Sequence, residues 1–131
     1  MIHVTNHQSR VRLPLARIRR LARAIAGSRS VSIAFVTDPA IRKINRQFLN
    51  HDFATDVLSF PLGGDPWGEL VISADYASRE ARAREIPVEE ELLRYVAHGL
   101  LHLLGYDDHD PREKARMWKR QERELRRVLG P

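Results

Sequence analysis

The chain has 131 residues, of which 43% are hydrophobic and 30% are charged, and its formal net charge is +5. This length predicts one globular domain over residues 1–131, large enough to bury a core. There is no cysteine, which excludes disulfides and leaves histidine and carboxylate as the ligands of any metal site. Neither a signal peptide nor a membrane-spanning apolar stretch is visible in the sequence, so we expect a cytoplasmic protein without a membrane partner.

Charge is distributed unevenly along the chain. Residues 1–37 contain seven Lys or Arg and no acid, residues 38–111 contain seven basic and fourteen acidic residues, and residues 112–131 contain eight basic and three acidic residues. Basic ends around an acidic middle suit a polyanionic substrate such as RNA. Solvated helix faces would produce the same arginine content, so charge alone does not choose between the two.

Hydrophobic periodicity and turn residues predict the elements in chain order. The expected strands cover residues 2–5, 30–36, 57–60 and 69–72. The expected helices cover residues 14–26, 38–49, about ten residues after Ser73, 88–104 and 111–129. This order predicts an α+β fold in which a single small sheet of about four strands is packed with helices.

The same patterns also predict which side chains face the core and which residues cap the helices. Leu15 on the first helix and Phe48 on the second are expected to face the core, as are Met117 and Trp118 on the last. Asp38 is expected to cap the second helix, followed by a first-turn proline. Ser73 and Asp110 are expected to cap the third helix and the last.

The most informative stretch lies at the end of the helix predicted over residues 88–104. His98 and His102 are four residues apart in an apolar segment, which places both imidazoles on one helix face, where they can share a metal ion. Gly105 is expected to end the helix, and acidic and histidine side chains follow in the turn. In zinc enzymes of the metzincin type the third ligand lies ten residues after the first. That position is Asp108, with His109 next to it as the alternative.

Gly99 limits what such a metal would do. In zinc peptidases with this histidine spacing, the residue after the first histidine is a glutamate that acts as general base. Glycine cannot take or give a proton, so the sequence argues against a metallopeptidase. Attack of activated water on a phosphodiester needs less help from a neighbouring carboxylate.

Three sequence blocks resemble one family. They are HGLLHLLGYD over residues 98–107, TDVLSFP over residues 55–61 and GELVIS over residues 68–73. The first resembles the signature of the YbeY family of bacterial endoribonucleases. The second and third resemble that family's Thr-Asp-Val-Leu-Ser-Phe-Pro and Gly-Asp-Ile-Val-Ile-Ser segments, in the same order.

The resemblance implies a metal-dependent endoribonuclease specific for single-stranded RNA. It implies a role in maturation of the 3′ end of small-subunit rRNA and in ribosome quality control, with the small ribosomal subunit or associated factors as partners and no DNA substrate. The implied ion is Zn²⁺ or another divalent transition metal, held by His98, His102 and Asp108. Asp56 lies in the second block, which the resemblance places beside the metal cleft; a turn-forming role before a strand is the alternative.

Three positions depart from the family pattern. Asp108 stands where the family has histidine, Glu69 replaces aspartate, and Leu49 occupies the position of an arginine expected to contact phosphate. Arg46, one helical turn before Leu49, is a candidate to replace that arginine, and His51 is another. The catalytic residues predicted from the sequence are therefore His98, Asp56 and Arg46.

The sequence leaves one further binding residue and one further function open. Trp67, in the Gly- and Pro-rich loop, suits either base stacking or packing against the sheet. The loss of arginine at Leu49 also suits an RNA- or ribosome-binding assembly factor in which the metal is structural and cleavage is weak or absent.

Overall fold

The computed structural model describes residues 1–130 and places four strands and five helices among them. The strands are β1 (Ile2–Asn6), β2 (Val31–Val36), β3 (Val57–Pro61) and β4 (Gly68–Ser73). The helices are α1 (Leu15–Ala26), α2 (Asp38–Leu49), α3 (Ala74–Arg84), α4 (Val88–Leu103) and α5 (Pro111–Leu129). The predicted order of elements is confirmed.

The strands form one sheet in the order β1-β2-β4-β3. The first three run parallel, while β3 runs antiparallel to β4 and lies at the edge. In this register Ile33 pairs with Val4 on one side and with Leu70 on the other, and Leu58 pairs with Val71. One mixed sheet with five helices confirms the predicted α+β class.

Side chains alternate between the two faces of the sheet, and each face has its own core. The larger core packs α1, α3, α4 and α5 against one face, which includes Ile33 and Leu70. The smaller core packs α2 against the other face, where Ile41 contacts Leu58 and Val71. The sheet therefore separates the α4 side of the molecule from the α2 side.

Helix α4 packs against α1, α3, α5 and the strands β3 and β4. Two glycines allow this close approach. A Cβ atom added at Gly68 would lie 2.6 Å from the side chain of Leu103, and one added at Gly99 would lie 2.8 Å from the side chain of Leu70. The end of α4 is thus seated directly on the sheet. None of the helices within residues 1–130 combines the length and the apolar composition that crossing a membrane requires.

Three side chains that were expected in the core lie at the surface instead. Leu15 is 48% exposed, Phe48 is 64% exposed and Trp118 is 50% exposed. Leu15 and Phe48 lie in terminal turns of their helices, and the ring of Phe48 lies edge to face with that of Phe60 on the edge strand β3, with centroids 6.0 Å apart. Trp118 lies about 100° around α5 from Met117, and Met117 is buried as predicted.

One predicted cap is wrong. Thr37, rather than Asp38, caps α2, and its hydroxyl accepts a hydrogen bond from a backbone N–H at 3.4 Å. Asp38 lies in the first turn of the helix, where it accepts a hydrogen bond from Ser73 and pairs with Arg79 across to α3. The predicted caps Ser73 and Asp110 are confirmed.

Candidate metal centre

His98 and His102 lie on consecutive turns of α4 with their rings edge to face and their centroids 4.7 Å apart. Their Nε2 atoms are 3.2 Å apart. Two imidazole ligands of a tetrahedral zinc ion, with Zn–N bonds of about 2.0–2.1 Å, would be separated by roughly 3.3 Å. The two nitrogens therefore already have a spacing that fits a single ion.

The turn after α4 supplies a third donor. Gly105 has φ of +103°, in the left-handed region that glycine adopts without strain. Asp107 accepts hydrogen bonds from the backbone N–H groups of Asp108 at 2.7 Å and His109 at 3.1 Å. This turn brings the Oδ2 atom of Asp108 to 3.9 Å from Nε2 of His102.

The geometry favours Asp108 over His109 as the partner of the two helical histidines. One donor atom from each of His98, His102 and Asp108 lies within 4.8 Å of the other two. His109 has a side chain that is 85% exposed and lies 3.4 Å from Asp107. With Asp107 and Asp108 it forms a second cluster of donor atoms on the surface of the turn. Two imidazoles and one carboxylate are ligands that zinc accepts, and three protein ligands are typical of catalytic sites.

A chain of buried and half-buried polar side chains fixes the orientation of His98. Gln121 on α5 donates from Nε2 to the carboxylate of Glu122 at 3.1 Å, so its Oε1 faces Nδ1 of His98 at 2.8 Å. Because a carbonyl oxygen only accepts, Nδ1 carries the proton. The lone pair of His98 is therefore on Nε2, the atom that faces His102, as metal binding requires.

Arg94 anchors this chain one helical turn before His98. Its guanidinium donates two hydrogen bonds of 3.0 Å to Glu122, one of 2.7 Å to Glu91 and one of 3.0 Å to Glu90. The side chain of Glu91 is only 1% exposed, and that of Arg94 is 12% exposed. Burial by itself lowers the pKa of the guanidinium, but the hydrogen bonds that it donates to the three carboxylates outweigh burial and raise that pKa, so the charge is permanent.

Burial also keeps His102 in the neutral form that binds a metal. Loss of solvent lowers the pKa of its imidazole, and a charge on neighbouring His98 would lower it further. The carboxylate of Asp108 acts in the opposite direction without reversing the net shift. Neutral imidazole is the form that ligates metal.

Asp56 lies in the turn before β3. Its Oδ1 accepts hydrogen bonds from the backbone N–H of Val57 at 2.7 Å and from the hydroxyl of Thr55 at 3.2 Å. Asp56 also lines the same cavity as His98 and Asp108. Asp56 therefore both stabilises the turn before β3 and lines the cleft.

Arg46 does not line the cleft that contains His98 and His102. Its side chain is 61% exposed, lies 3.9 Å from Asp52 and lines a separate cavity on the α2 side of the molecule. His51 stacks on Phe53 with ring centroids 5.3 Å apart, and Leu49 is 46% exposed. The catalytic role of Arg46 stays a prediction that the lining of the cleft does not support.

Gly99 has a packing role. A side chain at this position would meet Leu70 and Val57 on the sheet, and the carbonyl of Gly99 accepts a hydrogen bond from Ser59 at 3.1 Å. The position at which zinc peptidases carry their base therefore faces the core in this molecule.

Two cavities meet at His98. The larger, of about 820 Å³, lies between α4 and α5 and is also lined by Asp56 and Asp108. The smaller, of about 300 Å³, lies between α4 and β3 and is also lined by His102 and Ser59. A chain molecule that extends from one cavity to the other would pass over the two histidines.

Sequence reasoning missed Gln121, together with Arg94 and Glu122, which support it. The signal for Gln121 is its position. Gln121 is 2% exposed, and it lies on the apolar stripe of α5 between Met117 and Leu125. A polar residue at a core position of an amphipathic helix was the signal available in the sequence.

Fold and site together define a class of protein: an α+β domain whose central helix offers two histidines four residues apart, with a carboxylate from the turn that follows. The family profile described as "Endoribonuclease YbeY" matches residues 3–129. The chain belongs to the YbeY family.

Several similar proteins carry that description. A protein of Anaeromyxobacter sp. named "Endoribonuclease YbeY" is 50% identical over 105 residues, which are 76% of this chain and 54% of the relative. Proteins of the same name are 36% identical in Syntrophus aciditrophicus and 39% identical in Chlorobium phaeovibrioides, over 92% and 95% of this chain and 85% and 88% of those relatives. This chain thus spans about half the length of its Anaeromyxobacter relative and most of the other two.

The same fold occurs in a solved structure. The solution structure of TM1509 from Thermotoga maritima is similar with a TM-score of 0.76 and 31% sequence identity, over 99% of this chain and 90% of that one.

Proposed function

We propose that this chain is a metal-dependent endoribonuclease that cuts single-stranded RNA. The observation that carries the proposal is the His98, His102 and Asp108 donor group, which lies where two cavities meet. Membership of the YbeY family, and relatives of 36% to 50% identity that are named endoribonucleases, support RNA as the substrate.

We propose Zn²⁺ as the ion because two imidazoles and one carboxylate suit it. An ion held by His98, His102 and Asp108 would act as a Lewis acid and lower the pKa of a water molecule towards neutrality. Gln121 keeps the Nε2 atom of His98 free to ligate. Asp56 holds its turn through Oδ1 and lines the same cavity as His98, and we propose its carboxylate as the group that accepts the proton of an attacking water.

Positive charge on the first and last helices supports binding of the RNA backbone. Arginines and lysines are concentrated on α1 and α5, and a polyanion is attracted to such surfaces in a salt-dependent way. Arg46 is proposed as a contact to a phosphate outside the cleft. We further propose a single domain over residues 1–131 that acts in the cytoplasm on the 3′ end of small-subunit rRNA, within ribosome quality control and with the small subunit as partner. DNA is not a proposed substrate.

The decisive experiment compares His102→Ala with His109→Ala. The purified variants are assayed for bound zinc and for cleavage of a single-stranded RNA. We expect His102→Ala to lose both, and His109→Ala to retain both because His109 lies outside the donor group. Cleavage that persists in His102→Ala after its metal is lost would contradict the proposal.

A second function is favoured by the position of Arg46. With Leu49 in place of the family's arginine and Arg46 lining a different cavity, the chain would bind RNA or the ribosome as an assembly factor while its metal serves a structural role. Salt-sensitive RNA binding without turnover, by protein that contains its metal, would support this alternative. A metallopeptidase is disfavoured because Gly99 is packed against Leu70.

A further inference from the structure

The larger cavity beside the metal centre has features that zinc binding does not use. It measures about 820 Å³ and reaches from His98 and Asp108 along α5. Its lining includes Lys114, Trp118 and Gln121, which are spaced four and three residues apart and therefore form one stripe of the helix. Only Gln121 of the three is buried.

Trp118 is the largest side chain on this stripe. It is 50% exposed although it lies next to buried Met117. The structure therefore leaves a broad flat aromatic surface at the rim of a cavity instead of packing it in the core. Aromatic rings in such positions stack with the bases of single-stranded nucleic acids, and every base has a face that suits them.

Tyr95 lines the same cavity from α4 and lies next to Glu91. It is 5% exposed, and its hydroxyl oxygen is buried rather than open to the cavity. Burial raises the pKa of this phenol, and the neighbouring Glu91 raises it further. Tyr95 therefore forms part of the wall of the cavity, and the rim is left to the side chains of α5.

A charged group lies beside the ring. Lys114 is exposed and lines the cavity one helical turn before Trp118, whereas Arg84 lies 3.7 Å from the carboxylate of Glu91. A flat exposed ring with a cation beside it matches a nucleobase attached to a phosphate backbone. An apolar peptide side chain would use only the ring.

We propose that this cavity is a nucleobase subsite, in which one base of single-stranded RNA stacks on Trp118. Lys114 then contacts a neighbouring phosphate. The proposal rests on the proposed function, because it places the bound nucleotide next to His98 and Asp108. It adds a residue that binds a base rather than the backbone.

Binding to a short single-stranded RNA with phosphorothioate linkages, which resist hydrolysis, tests the subsite in the metal-loaded full-length protein. The same oligomer without its bases reports contacts to the backbone alone. Trp118→Ala is expected to weaken binding of the base-bearing oligomer by about 5- to 100-fold, and Trp118→Phe by less. Neither change is expected to alter binding of the abasic oligomer. Equal losses on both oligomers, or no loss on either, would overturn the proposal.

Two lysines of α5 provide a matched pair for the phosphate contact. Both are exposed, but only Lys114 lines the cavity. Lys114→Ala is therefore expected to weaken binding of both oligomers and to reduce the salt dependence, with a smaller effect from Lys119→Ala. Equal effects of the two substitutions would remove Lys114 from the proposed subsite.

Fluorescence keeps the test independent of the folding of the alanine variant. The chain has two tryptophans, and Trp67→Phe leaves Trp118 as the only one. Base-bearing RNA is expected to quench Trp118 emission, and abasic RNA is not. Base-dependent quenching in a protein that does not cleave RNA would retain the subsite and reject the endoribonuclease. Cleavage without base-dependent quenching would retain the endoribonuclease and reject the subsite.

Discussion

Two cavities of similar volume lie on the two sides of the sheet, about 820 Å³ between α4 and α5 and about 710 Å³ along α2. Both are lined by arginine and carboxylate. In the α4 cavity Arg94 is 12% exposed and meets Glu91, which is 1% exposed. In the α2 cavity Arg42 and Asp52 are 56% and 54% exposed, although their 2.9 Å ion pair is almost as short.

This difference in burial shows how a charged surface becomes a defined site. An exposed ion pair is screened by water and rearranges at little cost. A buried carboxylate must have its full set of partners, so its neighbours take one arrangement. On α4 that arrangement extends through Glu122 and Gln121 to His98 and sets which ring nitrogen is free. On α2 the charges orient no comparable group.

The largest contrast is expected between Arg94→Met and Arg42→Met. Removing Arg94 takes from buried Glu91 its nearer cation, since Arg84 lies 3.7 Å away, and takes from Glu122 two hydrogen bonds. We expect the free energy of unfolding to fall by about 3 kcal/mol. The same substitution at Arg42 is expected to have no measurable effect. Urea denaturation of the two variants measures both, and equal losses would mean that burial does not distinguish the two regions.

The second largest effect is expected at Gly99, where α4 packs against the sheet next to the metal centre. Gly99→Ala would place a methyl group 2.8 Å from the fully buried side chain of Leu70, and we expect a net loss of about 1–2 kcal/mol after the gain in helix propensity. Gly64→Ala is the control, because a Cβ atom there meets nothing within 4 Å. Thermal or urea unfolding that left Gly99→Ala unchanged would show that α4 can move away from the sheet.

Gln121→Leu separates orientation of the histidine from stability of the fold. Without the acceptor at Nδ1, the His98 ring loses its fixed tautomer, and zinc affinity is expected to fall by about 10- to 100-fold. Competition with a chelator measures the affinity, and ¹⁵N chemical shifts of the imidazole report the tautomer. If both the zinc affinity and the tautomer are unchanged, Gln121 does not orient His98.

The smallest effect is a pH dependence at Glu122. Burial raises the pKa of this carboxyl, but hydrogen bonds from Arg94 and Gln121 outweigh burial and hold the pKa below its ordinary value of 4.5. Its contribution to stability is therefore complete above about pH 4.5 and is lost as the pH falls through the lowered pKa. The difference in unfolding free energy between wild type and Glu122→Gln should shrink in that range. A difference that is constant from pH 7 to pH 3 would contradict it.

Much of the candidate site could be predicted because it is local in sequence. His98 and His102 share a face through helical geometry alone, and Gly105 with Asp107 builds the turn that carries Asp108. Side chains whose environment depends on distant elements were less predictable. Phe48 fits the apolar period of α2, but it lies in the last turn of the helix beside Phe60 of the edge strand and stays exposed.

The sequence by itself determined the order of elements, the α+β class, the histidine pair and the family, because periodicity, caps and contiguous motifs act over a few residues. Only the tertiary structure decided three further features of the site. They are the contact of Gln121 with His98 over 23 positions in the chain, the separation of Arg46 from the cleft, and the placing of Trp118 on a cavity rim. Each depends on how α4 and α5 pack together or on which face of the sheet α2 covers, and such contacts between distant segments leave only weak traces in local sequence patterns.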